Sequence, residues 1–172
     1  NMSGSLLCEY VLSQKAAAGK IPADGEVVKS IVTTNLVDAV AANYHCKLVE
    51  VLTGFKWIGQ QILKNEHTGK GHYMFGMEES YGCLIGSYAR DKDAVSATVA
   101  LCEAAAYYKM QGKTLWDAML DMFEKYGYYL DGIKAFDLAG LEGLAKIQRM
   151  MTYFRENVPE KIGDAAVLSV RD

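Results

Sequence analysis

The sequence predicts an α/β fold, a layered mixed sheet of about four strands packed by helices. Three observations carry the prediction. Helical and strand patterns alternate from the N-terminus as helix, strand, helix, strand, with short connections of the kind that build parallel strand pairs. The strand candidates are short β-branched runs, "EVVKSIV" and "KLVEVL". The segments between them carry apolar residues at helical spacing instead. With 172 residues, two prolines, no Gly/Ser-rich linker and no internal repeat, the chain is expected to form one α/β domain over residues 1–172.

In chain order, Leu6, Leu7, Tyr10, Val11 and Leu12 recur at helical spacing behind Ser3, a candidate N-cap, and Gly19 with Pro22 supplies the stop. These predict a helix over about residues 4–18. The run 26–32 reads as a strand. Thr34 or Asn35 then caps a helix to about Tyr44, with Leu36, Val37, Val40 and Ala41 as its apolar face. A second strand is expected over 47–52, followed by a turn at Thr53 and Gly54 and a helix over about 56–65 carrying Ile58, Ile62 and Leu63. The polar "NEHTGKG" reads as a loop and "HYMFGME", residues 72–78, as a third strand.

From Asp93 to about Gln111 nearly every residue is a helix former, apolar around most of the circumference, as suits a helix packed on a sheet. Gly112 ends it. Thr114 and Asp117 form a capping-box pattern for a helix burying Leu115, Met119, Leu120, Met122 and Phe123 up to Gly127. "YYLDGIKAFDL" is expected to hold a fourth strand. A last helix from Leu141 to about Asn157 places Leu144, Ile147, Met151 and Phe154 on one face, and Pro159 closes it. The final ten or so residues read as the start of a further element and are expected to lead toward a C-terminal domain.

Composition narrows the function classes. A net charge of −3 and an isoelectric point near 5.6, with lysines and arginines scattered, leave no basic footprint for nucleic acid. The Ala-rich run 94–108 is interrupted by Ser96, Thr98 and Glu103 and is too short and polar to span a bilayer. The N-terminus lacks the basic-then-apolar pattern of a secretory signal. Cys8, Cys46, Cys83 and Cys102 lie far apart in apolar neighbourhoods, which predicts reduced core thiols in a cytoplasmic protein. His45, His67 and His72 have no metal-ligand spacing, so no metal site is expected from this chain alone.

Three loops carry the chemistry. In "FGMEESYGCLIG", Glu78 and Glu79 stand side by side just past a strand, where ligands bind in open α/β sheets. On a strand their side chains would point to opposite faces, whereas on a loop both can turn to one ligand. Gly76 and Gly82 are expected to supply positive φ and close approach. Ionised carboxylates only accept hydrogen bonds, so the pair suits vicinal hydroxyls, ammonium groups or a metal, although a solvated turn has the same composition. "SYARDKDAV" sets Arg90 and Lys92 among Asp91 and Asp93 before a helix, either a capping turn or a cationic group for phosphate. "LTGFKWIG" offers Lys56 as a phosphate or hydroxyl donor, with Phe55 and Trp57 as core.

"TGFKWIG", "GMEESYG" and "RDKDAV", in this order and with these gaps, resemble the third domain of the α-D-phosphohexomutases, the phosphoglucomutase and phosphomannomutase enzymes, closest to the phosphoglucomutase branch with its E-E-S-Y-G loop. "NMSGSLLCEYVLSQ" and "KDAVSATVAL" extend the likeness over nearly the whole chain. The resemblance implies a sugar-binding domain, part of an enzyme that interconverts hexose 1-phosphate and hexose 6-phosphate through a bisphosphate intermediate. It implies that Glu78 and Ser80 contact ring hydroxyls, that Glu79 joins them or holds the loop, that Thr53, Gly54 and Lys56 line the site, and that Lys92 faces it. Met77, where several relatives have glycine, and Phe55, where some have a polar ring, depart from the pattern.

The family's phosphorylatable serine loop, its D-G-D-x-D-R magnesium loop and its R-x-S-G-T-E-P phosphate loop have no counterpart in residues 1–172. The resemblance therefore implies no catalytic residue in this chain, magnesium bound outside it, the enzyme's other domains as partners, and no mutase turnover by the chain alone. A free-standing sugar-phosphate binding module, or an interaction domain whose glutamate loop is only a solvated turn, are the alternatives.

Overall fold

A computed structural model describes residues 1–133 and 135–172, in two compact units, Asn1–Asp131 and Gly132–Asp172. The first unit runs α1 (Met2–Ala17), β1 (Gly25–Ser30), α2 (Leu36–Asn43), β2 (Lys47–Val51), α3 (Phe55–Thr68), β3 (His72–Glu78), β4 (Gly82–Leu84), α4 (Ala94–Met110) and α5 (Leu115–Tyr126). Its sheet has the order β2-β1-β3-β4, with β1 parallel to both β2 and β3, and β4 antiparallel to β3. The α/β mixed four-stranded sheet is the fold class the sequence predicts.

Strand alternation divides the core. Val27 faces a cluster built with Leu6, Leu7, Cys8 and Leu12 of α1, Val37 and Val40 of α2, and Met119 and Met122 of α5. Val28 faces Phe55, Ile58 and Ile62 of α3 and Leu84 of β4. The helices that follow β1 and β2 thus lie on opposite faces, and β3 inserts beside β1 on the side away from β2. A bulge at Met74 breaks the β1–β3 register, since Glu26 pairs with Tyr73 and Val27 with Phe75. The Met74 carbonyl accepts from the Lys15 ammonium at 2.9 Å, a contact that ties α1 to the sheet. Burial lowers the pKa of Lys15.

Several elements differ from expectation for identifiable reasons. Ser3 lies inside α1, which begins one residue earlier after Asn1. The helix α3 continues through Thr68, taking in most of the expected "NEHTGKG" loop, because buried Asn65 and Gln61 one turn earlier both donate to Glu26 Oε2 at 2.9 Å, and Gly69 in the left-handed region then ends it. The Thr114–Asp117 capping box is present, but Ala118 takes the buried place expected of Leu120, which is 46% exposed. Cys8, Cys46 and Cys83 are buried free thiols, whereas Cys102 is exposed on α4. No described residue of 128–138 is in a strand, and Lys134 lies outside the described residues. The fourth strand is β4, which turns straight back onto β3 and occupies its outer edge; three residues beginning with glycine carry no periodic signal.

The second unit consists of α6 (Gly140–Glu156) and a small antiparallel hairpin, β5 (Lys161–Ile162) and β6 (Ala165–Ala166). The Arg155 guanidinium pairs with Asp172, its Nη2 lying 2.9 Å from Oδ1. Leu144, Ile147, Met151 and Phe154 all remain more than one-third exposed.

Candidate functional site

In an open α/β sheet the crevice forms at the strand ends where the strand order reverses, and here that point lies between β1, which connects outward to β2, and β3, which connects the other way to β4. Both acids of the "MEESYG" loop sit there. Met77 faces the α1 side, so alternation turns Glu78 to the side where α3 begins. Glu78 is only 5% exposed. Its Oε1 accepts the Gly54 amide, the N-cap of α3, at 2.5 Å, where the helix dipole favours an anion. Its Oε2 lies 3.1 Å from the Lys92 ammonium, which also donates to the Ser80 carbonyl at 3.1 Å.

Glu79 is half-buried and turns the other way. Its Oε2 accepts from the Ser30 hydroxyl at 2.7 Å and from the Thr33 hydroxyl at 3.3 Å. Among the described residues nothing donates to its Oε1. Glu78, Glu79, Tyr81 and Lys92 form one end of a cleft of about 630 Å³ whose walls include Leu7 of α1 and Ala97 and Leu101 of α4. Tyr81 is fully exposed at the loop tip, with φ of 55°.

Neither Gly76 nor Gly82 has positive φ, contrary to expectation; each is glycine for space. A Cβ on Gly82 would sit 2.7 Å from Lys92 Cβ and 2.8 Å from Cγ, so only glycine lets Lys92 lie across the loop to Glu78. A Cβ on Gly76 would collide with the Tyr73 hydroxyl, which donates to the Leu84 carbonyl at 2.9 Å and holds β4.

Of the residues picked from sequence, Glu78, Ser80, Gly54 and Lys92 are thus linked by direct contacts, and Glu79 lines the same cleft as Glu78 and Lys92. Thr53 is exposed in the loop before α3. Lys56 points elsewhere, its ammonium 5.2 Å from the Trp57 ring centre, beside a second cleft of about 630 Å³ that also includes Arg90. Arg90 is not beside the carboxylate loop either. It forms a two-pronged pair with Glu66 at 2.7 and 2.6 Å, and its carbonyl lies so close to α3 that a Cβ at Gly59 would come within 2.6 Å of it. Asp93 caps α4 by accepting the Val95 amide at 3.0 Å, and hydrogen bonds from Ser96 and Tyr88 hold its carboxyl below the ordinary range.

Sequence reasoning missed Ser30, Thr33 and Lys29. Lys29 is fully buried in β1, a strand with every residue buried. A lysine inside a β-branched run, followed at once by Ser30 and, after Ile31 and Val32, by two threonines, was the available signal.

These features define an α/β domain with a two-carboxylate loop at its switch point. The family description "Phosphoglucomutase/phosphomannomutase, alpha/beta/alpha domain III" matches residues 1–126. The chain belongs to the phosphoglucomutase/phosphomannomutase family and corresponds to its third domain. It is 35% identical over its whole length to a phosphoglucomutase of Staphylococcus aureus strain N315 and 34% identical to that of strain USA300, and spans 30% of the length of each. The open form of pp63/parafusin, a phosphoglucomutase from Paramecium, shares the fold over 89% of this chain and 26% of its own, with a TM-score of 0.59 at 20% identity.

Membership of this family suggests a metal-dependent parent enzyme. Among the described residues, no group of three or more His, Cys, Asp or Glu side chains is arranged to hold a metal ion. The described residues do not fit a magnesium site. No helix among the described residues is long and apolar enough to cross a membrane.

Proposed function

We propose that this chain is the sugar-binding domain of an enzyme that interconverts hexose 1-phosphate and hexose 6-phosphate by phosphoryl transfer through a bisphosphate intermediate. The observation that carries the proposal is the division of labour between two adjacent carboxylates at the β1/β3 switch point. Glu78 is bound to Gly54 and Lys92, while Glu79, which lines the cleft, is held by Oε2 and, among the described residues, receives no donor on Oε1. A ring with neighbouring hydroxyls supplies the donors that such acceptors require. Because carboxylate oxygens accept without fixing direction, they suit a sugar that binds in two opposite orientations.

Glu79 Oε1 takes a hydroxyl directly. Glu78 takes one by exchanging the Lys92 contact, which frees that ammonium for the sugar or its phosphate. Ser80, exposed beside them, adds a hydroxyl, and Gly54 with Thr53 adjoins Glu78 through the Gly54 amide. Lys56, at the start of α3, joins them once its side chain leaves the Trp57 ring. The nucleophile and the magnesium are supplied by other domains of the parent, so the isolated chain performs no turnover. Buried free Cys8, Cys46 and Cys83 suit the reducing cytoplasm.

The test is steady-state kinetics of the full-length enzyme on glucose 1-phosphate and mannose 1-phosphate with Glu78→Ala and Glu79→Ala. Each is expected to lower kcat/KM by about tenfold or more, the loss of at least one charge-assisted hydrogen bond. Wild-type kcat/KM in both variants would refute the hydroxyl grip.

A further inference from the structure

Lys29 is the largest fully buried side chain that belongs to neither the apolar core nor the proposed sugar contacts. It points from β1 to the α2 side of the sheet, and its ammonium meets five groups. It pairs with Asp38 of α2, lies 3.7 Å from Glu50 Oε2 of β2, and donates to the Thr33 carbonyl at 3.2 Å, the Thr34 carbonyl at 3.3 Å and Asn35 Oδ1 at 3.0 Å. Three of the five belong to the turn between β1 and α2. That same turn carries the two hydroxyls, Ser30 and Thr33, that hold Glu79 Oε2, and these hydroxyls lie 2.8 Å from each other.

We propose that Lys29 is a positioning residue for hexose binding: from inside the core it fixes the Ser30–Asn35 turn, and through the Ser30 and Thr33 hydroxyls it sets Glu79 so that Oε1 faces the cleft. The proposal rests on the hydroxyl grip proposed above. A desolvated ammonium is poor value as a stability device, since apolar side chains of similar volume commonly replace buried ion pairs without loss. Its contacts instead define a shape. The two carbonyls and the Asn35 side chain are polar groups that the turn turns inward, and the Lys29 ammonium shares its three protons among them and Asp38, so one cation serves them together. The Thr33 carbonyl bound by Lys29 and the Thr33 hydroxyl bound to Glu79 belong to one residue, so a displacement of the carbonyl reaches the carboxylate within a few bonds. The turn is pinned elsewhere by the Thr33 amide to the Ser30 carbonyl at 3.0 Å and by the Thr34 hydroxyl under the Leu36 amide at 3.3 Å, so loss of the cation shifts the turn without unravelling it.

The experiment uses the full-length enzyme with glucose 1-phosphate and compares Lys29→Met, Asn35→Ala, Glu79→Gln and the Lys29→Met/Glu79→Gln double variant. Lys29→Met is expected to raise KM about tenfold while kcat changes less than about threefold, the pattern of lost binding that is uniform along the reaction. In the double variant KM should stay within about twofold of Glu79→Gln alone, because both changes act on one carboxylate. A purely structural role predicts a fall in active-enzyme concentration, hence in apparent kcat, with KM unmoved, and that result overturns the proposal. So do effects on KM that multiply in the double variant. If Lys29→Met does not fold, Asn35→Ala decides, since it removes one acceptor of the cation at an exposed position: a KM about threefold higher at unchanged kcat supports the proposal and an unchanged KM overturns it. A raised KM in Glu79→Gln with none in a folded Lys29→Met rejects the role of Lys29 alone, whereas wild-type kcat/KM in Glu78→Ala and Glu79→Gln together rejects the hydroxyl grip beneath it.

Discussion

Replacing Gly82 with alanine should displace Lys92 from Glu78. The added methyl would stand 2.7 Å from Lys92 Cβ and 2.8 Å from Cγ, closer still to Cδ, and carbon atoms in contact normally keep about 3.5–4.0 Å apart. The clash reaches the root of the lysine, so rotating its far end cannot relieve it. Either χ1 changes, which withdraws the ammonium from the 3.1 Å contact with Glu78, or the loop moves away from α4. Overpacking of this kind costs roughly 1–3 kcal/mol. The ion pair lost with it is unequal: Glu78 is nearly enclosed and Lys92 one-third exposed, which places its worth between the 0–1 kcal/mol of a surface pair and the roughly 3–5 kcal/mol of a broken buried one. A combined loss of about 2–4 kcal/mol is expected from urea unfolding followed by tryptophan fluorescence. In a Lys92→Ala background the Cγ and Cδ contacts disappear and only the Cβ contact persists, so the cost of Gly82→Ala should fall by about half. A Gly82→Ala protein as stable as wild type, or an equal cost in both backgrounds, would refute the account of this glycine.

Two further outcomes are expected. Glu9 on α1 accepts from the Tyr44 hydroxyl at 2.8 Å, the Tyr126 hydroxyl at 2.7 Å and the Lys125 ammonium at 3.2 Å, and so joins α1, α2 and α5; Glu9→Ala leaves three donors without their acceptor and should cost roughly 2–4 kcal/mol in urea unfolding. Burial pushes the Cys83 thiol from its ordinary 9.0 up to about 11. A raised folded-state pKa means that its share of stability is complete below pH 9 and is lost as pH rises through about 11, a loss of about 2–3 kcal/mol. Thermal melts between pH 8 and 11 should therefore fall less steeply for Cys83→Ala than for wild type, and parallel curves would contradict this.

Most of the framework was legible because its signals are local. The three parallel strands, the capping box at Thr114 and the aspartate cap of α4 follow from side-chain period and cap chemistry, and the structure places them within a residue or two of expectation. β4 escaped because three residues hold no period, and the end of α3 because Asn65 is kept helical by Glu26, thirty-nine positions away. Site legibility divides in the same way. Adjacency of Glu78 and Glu79 was visible, and so was the nearness of Lys92. Invisible were the partners fixed only by the fold: Ser30 and Thr33 beneath Glu79, and the Gly54 amide on Glu78. Lys56 and Arg90, cations at the expected loops, turn to Trp57 and Glu66, because a helix start and a close-packed loop decide their direction and sequence spacing does not.

The Gly54 amide reports most directly on the central claim, since its proton lies on Glu78 Oε1. The measurement is a ¹H–¹⁵N titration of the full-length enzyme, labelled at glycine, with glucose 6-phosphate. Sugar hydroxyls entering the carboxylate pair should shift the Gly54 and Gly82 amides along one saturable curve, and that curve should weaken in the Glu79→Gln enzyme. Saturation of the enzyme with both amides unmoved would show that the sugar is held elsewhere and would contradict the account.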